Sequence, residues 1–112
     1  MNCINWEDFK KVEIRVGTII EALDFPEAIK PAYKLKVYLG SKIGIKNSSA
    51  QITELYSKDE LIDQQVLVVV NLNPKKIGPF ISECLVTGFY KNNKDVVLAT
   101  PNKKIPDGSL LE

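Results

Sequence analysis

The chain is strand-rich. Tyr33-Lys34-Leu35-Lys36-Val37-Tyr38-Leu39 alternates without a break. A period of two predicts a half-buried strand, with Tyr33, Leu35, Val37 and Leu39 toward the core and Lys34, Lys36 and Tyr38 outside. Val12 to Val16 alternates in the same way, and the strand resumes from Thr18 to Leu23. Gly17 between them predicts a bulge or tight bend of the kind a small closed barrel needs. A third strand is expected from Ile43 to Ala50. Val66-Leu67-Val68-Val69-Val70 is a continuous apolar run within Gln65 to Leu72, which predicts a central strand buried on both sides. Ser82 to Tyr90 and Asp95 to Thr100 complete the strands, joined by a hairpin turn at Lys91 to Lys94.

Trp6 to Lys10 reads as a short helical entry, with Asn5 as a candidate N-cap. Ile52 to Tyr56 and Lys58 to Ile62 read as one or two short helices, and Ser57 and Glu60 have the spacing of a capping box. Pro26 and Pro31 bracket a loop. Asn73-Pro74-Lys75-Lys76 is a second loop, and Pro106-Asp107-Gly108 a turn within a tail from Pro101 to Glu112. Five or six strands with a helical insert between the third and fourth fit a single domain over residues 1–112. The expected class is all-β: a five-stranded OB-fold Greek-key barrel with short helices.

Composition narrows the chemistry. The chain has no histidine, which removes imidazole bases, Ser-His-Asp and Cys-His catalysis and histidine-ligated metals. Cys3 and Cys84 stand far apart with no CxxC, so no structural zinc site and no cofactor is expected. Asp59, Glu60 and Asp63 form one acidic face without a partnering acid, base or ligand, so an enzyme is not expected. No apolar run reaches the ~18 residues that span a bilayer, and the start from Met1 to Lys10 has no signal-peptide core. The expected home is the cytoplasm, with Cys84 a reduced core thiol and Cys3 exposed.

The net charge of +1 is uninformative, but its distribution is not. Lys30, Lys34, Lys36, Lys42 and Lys46 occur with no acid among residues 30–46, and a second basic stretch runs from Lys75 to Lys104. Folded onto one face, they would present a footprint for a polyanion; left apart, they are an ordinary solvated surface. Arg15 is the single arginine among 15 basic residues. Lysine suits phosphate as a point charge, whereas bidentate reading of base edges favours arginine.

Local pattern leaves the candidate binding residues open. Lys34, Lys36 and Tyr38 combine positive charge with one aromatic on the polar face of a strand, and Tyr38 could equally be a solvent-facing tyrosine. Ser48 and Ser49 could offer hydroxyls to phosphate or form a capping turn before Ile52. Asn71, Lys75 and Lys76 lie where a buried strand exits into a loop, and Asn71 could instead cap a turn. Phe80 is a stacking platform or a dimer contact, and Glu83 is expected to orient a lysine or serine.

Five blocks lift this ambiguity: Val12 to Ile19, Lys30 to Leu35, Lys46 to Thr53, Val69 to Gly78 and Ser82 to Leu85. In this order they resemble the tRNA-binding OB-fold domain family, and the stand-alone CsaA-like branch within it, over nearly the whole chain. Ala50 and Cys84-Leu85 stand where many relatives carry Gly and Gly-Met, which is the pattern of that branch. The resemblance implies a homodimer that holds tRNA by shape and backbone. Under this reading the candidate RNA contacts are Lys34, Lys36, Tyr38, Lys46, Ser48, Ser49, Asn71, Lys75, Lys76 and Ser82. The resemblance places the dimer interface in the N-terminal segment 1–11 and the tail 101–112. It also implies a second function, binding of unfolded or exported polypeptides in protein secretion, for which Ile77, Pro79, Phe80 and Ile81 would line an apolar groove.

Overall fold

A computed structural model describes residues 1–112. Helix α1 (Trp6–Lys10) leads into β1 (Ile14–Asp24), β2 (Tyr33–Tyr38) and β3 (Ile45–Ala50). Helix α2 (Lys58–Leu61) precedes β4 (Gln65–Val69), and five short strands follow. These are β5 (Lys75–Ile77), β6 (Phe80–Ser82), β7 (Leu85–Val86), β8 (Gly88–Tyr90) and β9 (Val96–Leu98). The main sheet runs β3-β2-β1-β4-β7, with β5–β6 and β8–β9 as separate hairpins. Every pairing within the five-stranded sheet is antiparallel.

The barrel is nearly closed by the chain between β6 and β7. Glu83 N–H donates to the Asn47 carbonyl of β3 at 2.8 Å. Asn47 N–H donates to Glu83 Oε1 at 3.0 Å, and Ser49 N–H to Ser82 Oγ at 3.0 Å. The interior holds Ile19, Leu35, Val37, Leu39, Leu61, Val66 and Val68, all almost fully buried. The alternation of β2 is as expected, with Tyr33, Leu35 and Val37 buried.

Four expectations are corrected. Gly17 lies within one continuous β1, and the irregularity falls between Ile19 and Glu21, where Ile20 is the extra residue. Gly17 is needed for close approach instead: a Cβ there would lie 2.6 Å from Val37 Cγ1 and 2.7 Å from Leu39 Cδ2. The β4 strand is only partly covered on its outer side, where Val69 is buried but Leu67 is half-buried. The single strand expected from Ser82 to Tyr90 is divided into β6, β7 and β8, since Glu83 leaves the β5–β6 hairpin to dock on β3. Lys75 and Lys76, expected in a loop, form β5.

The helices follow local chemistry. Ser57 and Glu60 complete the capping box of α2, with Glu60 N–H donating to Ser57 Oγ and Ser57 N–H to Glu60 Oε1. Only Lys58–Leu61 is helical, and within Ile52 to Tyr56 residues 53–55 form a turn. Asn5 precedes α1 without a side-chain cap.

The tail clasps β1 beyond the end of β2. Val16 N–H donates to the Ser109 carbonyl, Gly108 N–H to the Val16 carbonyl and Leu111 N–H to the Ile14 carbonyl. Thr18 Oγ1 donates to Asp107 at 2.7 Å. Gly40 and Gly108 meet back to back, both at φ +90, and a Cβ on Gly108 would lie 2.8 Å from the Leu39 carbonyl oxygen. Gly44 also has positive φ, +78, but open space around it. Gly44→Ala should therefore cost about 1–2 kcal/mol of backbone strain. Gly108→Ala should cost that and a further ~1–3 kcal/mol of overpacking. Urea midpoints of the two variants check the difference, and equal losses would show that the clasp is loose.

Candidate nucleic-acid interface

Antiparallel register decides which side chains share a face, because directly paired residues point the same way. Lys34 pairs with Leu23 on β1 and Ser49 on β3; Lys36 pairs with Glu21 and Asn47. These residues form the outer face of β1–β2–β3. Phe80, from the β5–β6 hairpin, joins Lys34, Lys36, Asn47, Glu21 and Leu23 around one shallow groove. The Phe80 ring meets buried Phe25 edge-on at 5.3 Å, and Lys34 Nζ lies 5.6 Å from the Phe25 ring centre. Phe25 is thus a positioning residue. It follows β1 in a loop before Pro26, where no sequence pattern signals its role.

The hairpin divides its residues by parity. Lys75 pairs with Ser82 and Ile77 with Phe80, so these four share one side. Lys76 pairs with exposed Ile81 on the other side. Ser82 Oγ accepts the Ser49 N–H, which ties the Lys75 side of the hairpin to the β3 edge. Lys34, Lys36, Ser49, Lys75, Phe80 and Ser82 are therefore brought together. Tyr38 lies farther along the same outer face, opposite Thr18 and Ile45, and is 36% exposed.

Four other candidates stand elsewhere. Ser48 pairs with core-facing Leu35 and is fully buried, its Oγ 3.4 Å from the Ser49 carbonyl. Lys46 pairs with core-facing Val37 and emerges beside Glu83, Nζ to Oε2 3.9 Å. Glu83 lies within ion-pair distance of Lys46, but its hydrogen bond goes to the Asn47 N–H. Asn71 accepts the Glu13 N–H at 2.9 Å and donates to the Lys11 carbonyl at 2.7 Å, so its amide stitches the end of β4 to the start of β1. Lys76 lies on the far side of the hairpin. The apolar candidates are divided too: Ile77 and Phe80 share one side, Ile81 the other, and Pro79 is exposed in the turn.

The N-terminal segment and the tail meet beside β1. Phe9, Val12, Leu110 and Leu111 line one recess. Trp6 is 60% exposed, with its ring 5.3 Å from that of Phe9. No helix is long and apolar enough to cross a membrane.

Residues 14–110 match the family described as "Putative tRNA binding domain". Among solved structures, the chaperone CsaA from Bacillus anthracis str. Ames superposes with a TM-score of 0.93 at 42% identity, covering 99% of this chain and 100% of that one. The CsaA chaperone protein from Picrophilus torridus gives 0.90 at 54% identity, covering 98% and 100%. Among sequence relatives, the methionine–tRNA ligase of Nanoarchaeum equitans (strain Kin4-M) is 37% identical over 106 residues, which is 95% of this chain. That of Thermococcus onnurineus (strain NA1) is 33% identical over 106 residues. The chain spans only 13% and 14% of the length of these two ligases.

Cys84 sits behind the seam as an inert thiol. Burial, reinforced by the Glu83 carboxylate, pushes its pKa up to about 11. The folded chain thus keeps a proton that the unfolded chain releases. This contribution to stability is intact below the ordinary value of 9.0 and is lost as pH rises through about 11. Between these pH values Cys84→Ala should show a shallower fall in urea midpoint than wild type; identical slopes would mean that Cys84 titrates normally.

Proposed function

We propose that this chain, which belongs to the tRNA-binding domain family, holds folded tRNA on the outer face of β1–β2–β3 and the adjoining side of the β5–β6 hairpin. The observation that carries this reading is the convergence of Lys34 and Lys36 with Phe80 around one groove. Two lysines supply point charges for the phosphate backbone, and the Phe80 ring supplies a surface for an unpaired base. Lys75, Ser49 and Ser82 extend this surface across the seam, and Tyr38 extends it along β2. Such a face reads RNA by shape and backbone. We assign Lys46, Ser48 and Asn71 to the support of that face. The chain acts as a binding module without catalysis, in the cytoplasm.

A second reading is favoured by the names of the two structures at 42% and 54% identity, both chaperones. An unfolded or exported polypeptide would use the same groove, with Phe80 and Leu23 as its apolar contacts. The protein functions as a homodimer. Trp6, Phe9, Val12, Leu110 and Leu111 form the apolar patch that a second copy covers, since tryptophan is enriched among interface anchors.

Electrophoretic shift of bulk tRNA at two salt concentrations tests the first reading. Affinity should fall with salt, with a log–log slope of about 0.7–0.9 per phosphate contacted. Lys34→Ala/Lys36→Ala should weaken binding and flatten that slope by about two phosphates' worth, whereas Lys76→Ala should have the smaller effect. No shift even at low salt sinks the RNA reading. Salt-indifferent capture of an unfolded polypeptide, lost in Phe80→Ala, would then establish the second. Light scattering should give twice the chain mass for wild type and the single chain mass for Trp6→Asp; a monomeric wild type would rule out the dimer.

A further inference from the structure

The outward residues of β3, Asn47 and Ser49, are followed by Gln51 just past its end. There the surface opens into a cavity of about 420 Å³, within the range of small-ligand sites. Three separate segments line it. The loop between β1 and β2 gives Lys30; the chain after β3 gives Gln51 and Thr53; the β8–β9 hairpin gives Tyr90, Asn93 and Lys94.

The chemistry of this lining is specific. Tyr90 is its one aromatic and is 71% exposed, so it is not spent on the core. Neither Lys30 nor Lys94 has a carboxylate within ion-pair distance. Asp95, the acid nearest Lys94 in sequence, is taken up by the turn: Asn92 Nδ2 donates to its Oδ2 at 2.9 Å, and Lys91 N–H to its carbonyl at 2.7 Å. Asn92 Oδ1 accepts the N–H groups of Lys94 and Asp95, both at 3.0 Å, which fixes the hairpin tip that carries Asn93 and Lys94. Gln51 and Asn93 each offer an amide donor and acceptor. Glu54 also lines the cavity and accepts only, which suits an amino group or a ribose hydroxyl and opposes a phosphate beside it.

A second recess shares Gln51 and Tyr90 with this cavity and reaches Ser49. Ser49 pairs with Lys34, so this second recess lies between the cavity and the lysine-bearing face. We infer that the cavity receives one unstacked nucleotide of the RNA held on that face, its base stacked on Tyr90, its edge met by Gln51 and Asn93, and its phosphate held by Lys30 and Lys94. This inference rests on the RNA reading above.

Fluorescence anisotropy of the full chain with a short unstructured RNA, alongside bulk tRNA, tests it. Tyr90→Ala should weaken binding of the short RNA about tenfold without changing the salt slope, because stacking releases no counterions. Tyr90→Phe should bind as wild type. Lys30→Ala/Lys94→Ala should flatten the slope by about 0.7, the share of the one single-strand phosphate they hold. Tyr90 is exposed, so an unchanged circular dichroism spectrum and urea midpoint are expected for its variants. If Tyr90→Ala and Lys30→Ala/Lys94→Ala bind as wild type while Lys34→Ala/Lys36→Ala does not, the nucleotide site is overturned and the RNA reading stands. If wild type binds neither RNA, both fall.

Discussion

The structure depends on how the free edge of β3 is satisfied. A barrel removes its edges by pairing the first and last strands, and here the last strand is too short to do so by ladder alone. Side chains take over: Ser82 Oγ accepts from Ser49, and Glu83 Oε1 accepts from Asn47. The same two contacts set the position of the β5–β6 hairpin, and so decide which of its residues face the groove. Ser82 and Glu83 are thus residues of the barrel seam first. A carboxylate beside a lysine-rich face would otherwise oppose an anion; its placement in the seam, between Asn47 N–H and Lys46, explains its presence.

Basic chemistry is divided in a related way. Arg15, the one arginine, donates to Glu13 Oε1 at 2.6 Å and to the Gly108 carbonyl at 2.7 Å. It fixes the tail and leaves every other cation a lysine. A surface of lysines attracts phosphate without the planar fork that reads base edges. The shape- and backbone-directed binding proposed for this chain follows from that allocation.

How much was legible depended on the local pattern. Tyr33 to Leu39 alternates strictly, so both its strand and its faces could be read, and Lys34 and Lys36 stand where expected. Ser57 and Glu60 carry their capping box in four residues. Ile43 to Ala50 has no alternation, so its strand could be read but not its parity, and Lys46 and Ser48 could not be told apart from Ser49 on the outer face. A slip of one residue moves a side chain through the sheet. Asn73-Pro74-Lys75-Lys76 read as loop and concealed a hairpin of three-residue strands, so Lys75 and Lys76 could not be told apart. The roles of Phe25 and Asn71 were hidden because each is defined by partners remote in sequence.

The clasp between the tail and β1 has a further consequence, for the order in which the protein assembles. The Arg15 side chain and the Gly108 carbonyl are separated by 93 residues. Closing so long a loop spends chain entropy before the contact returns any energy. The first half of β1 therefore keeps one row of backbone groups unpaired until the rest of the barrel has condensed. During that interval the nascent edge is a template for another strand, and the speed with which residues 106–111 dock governs how long the chain is vulnerable to association with its own copies.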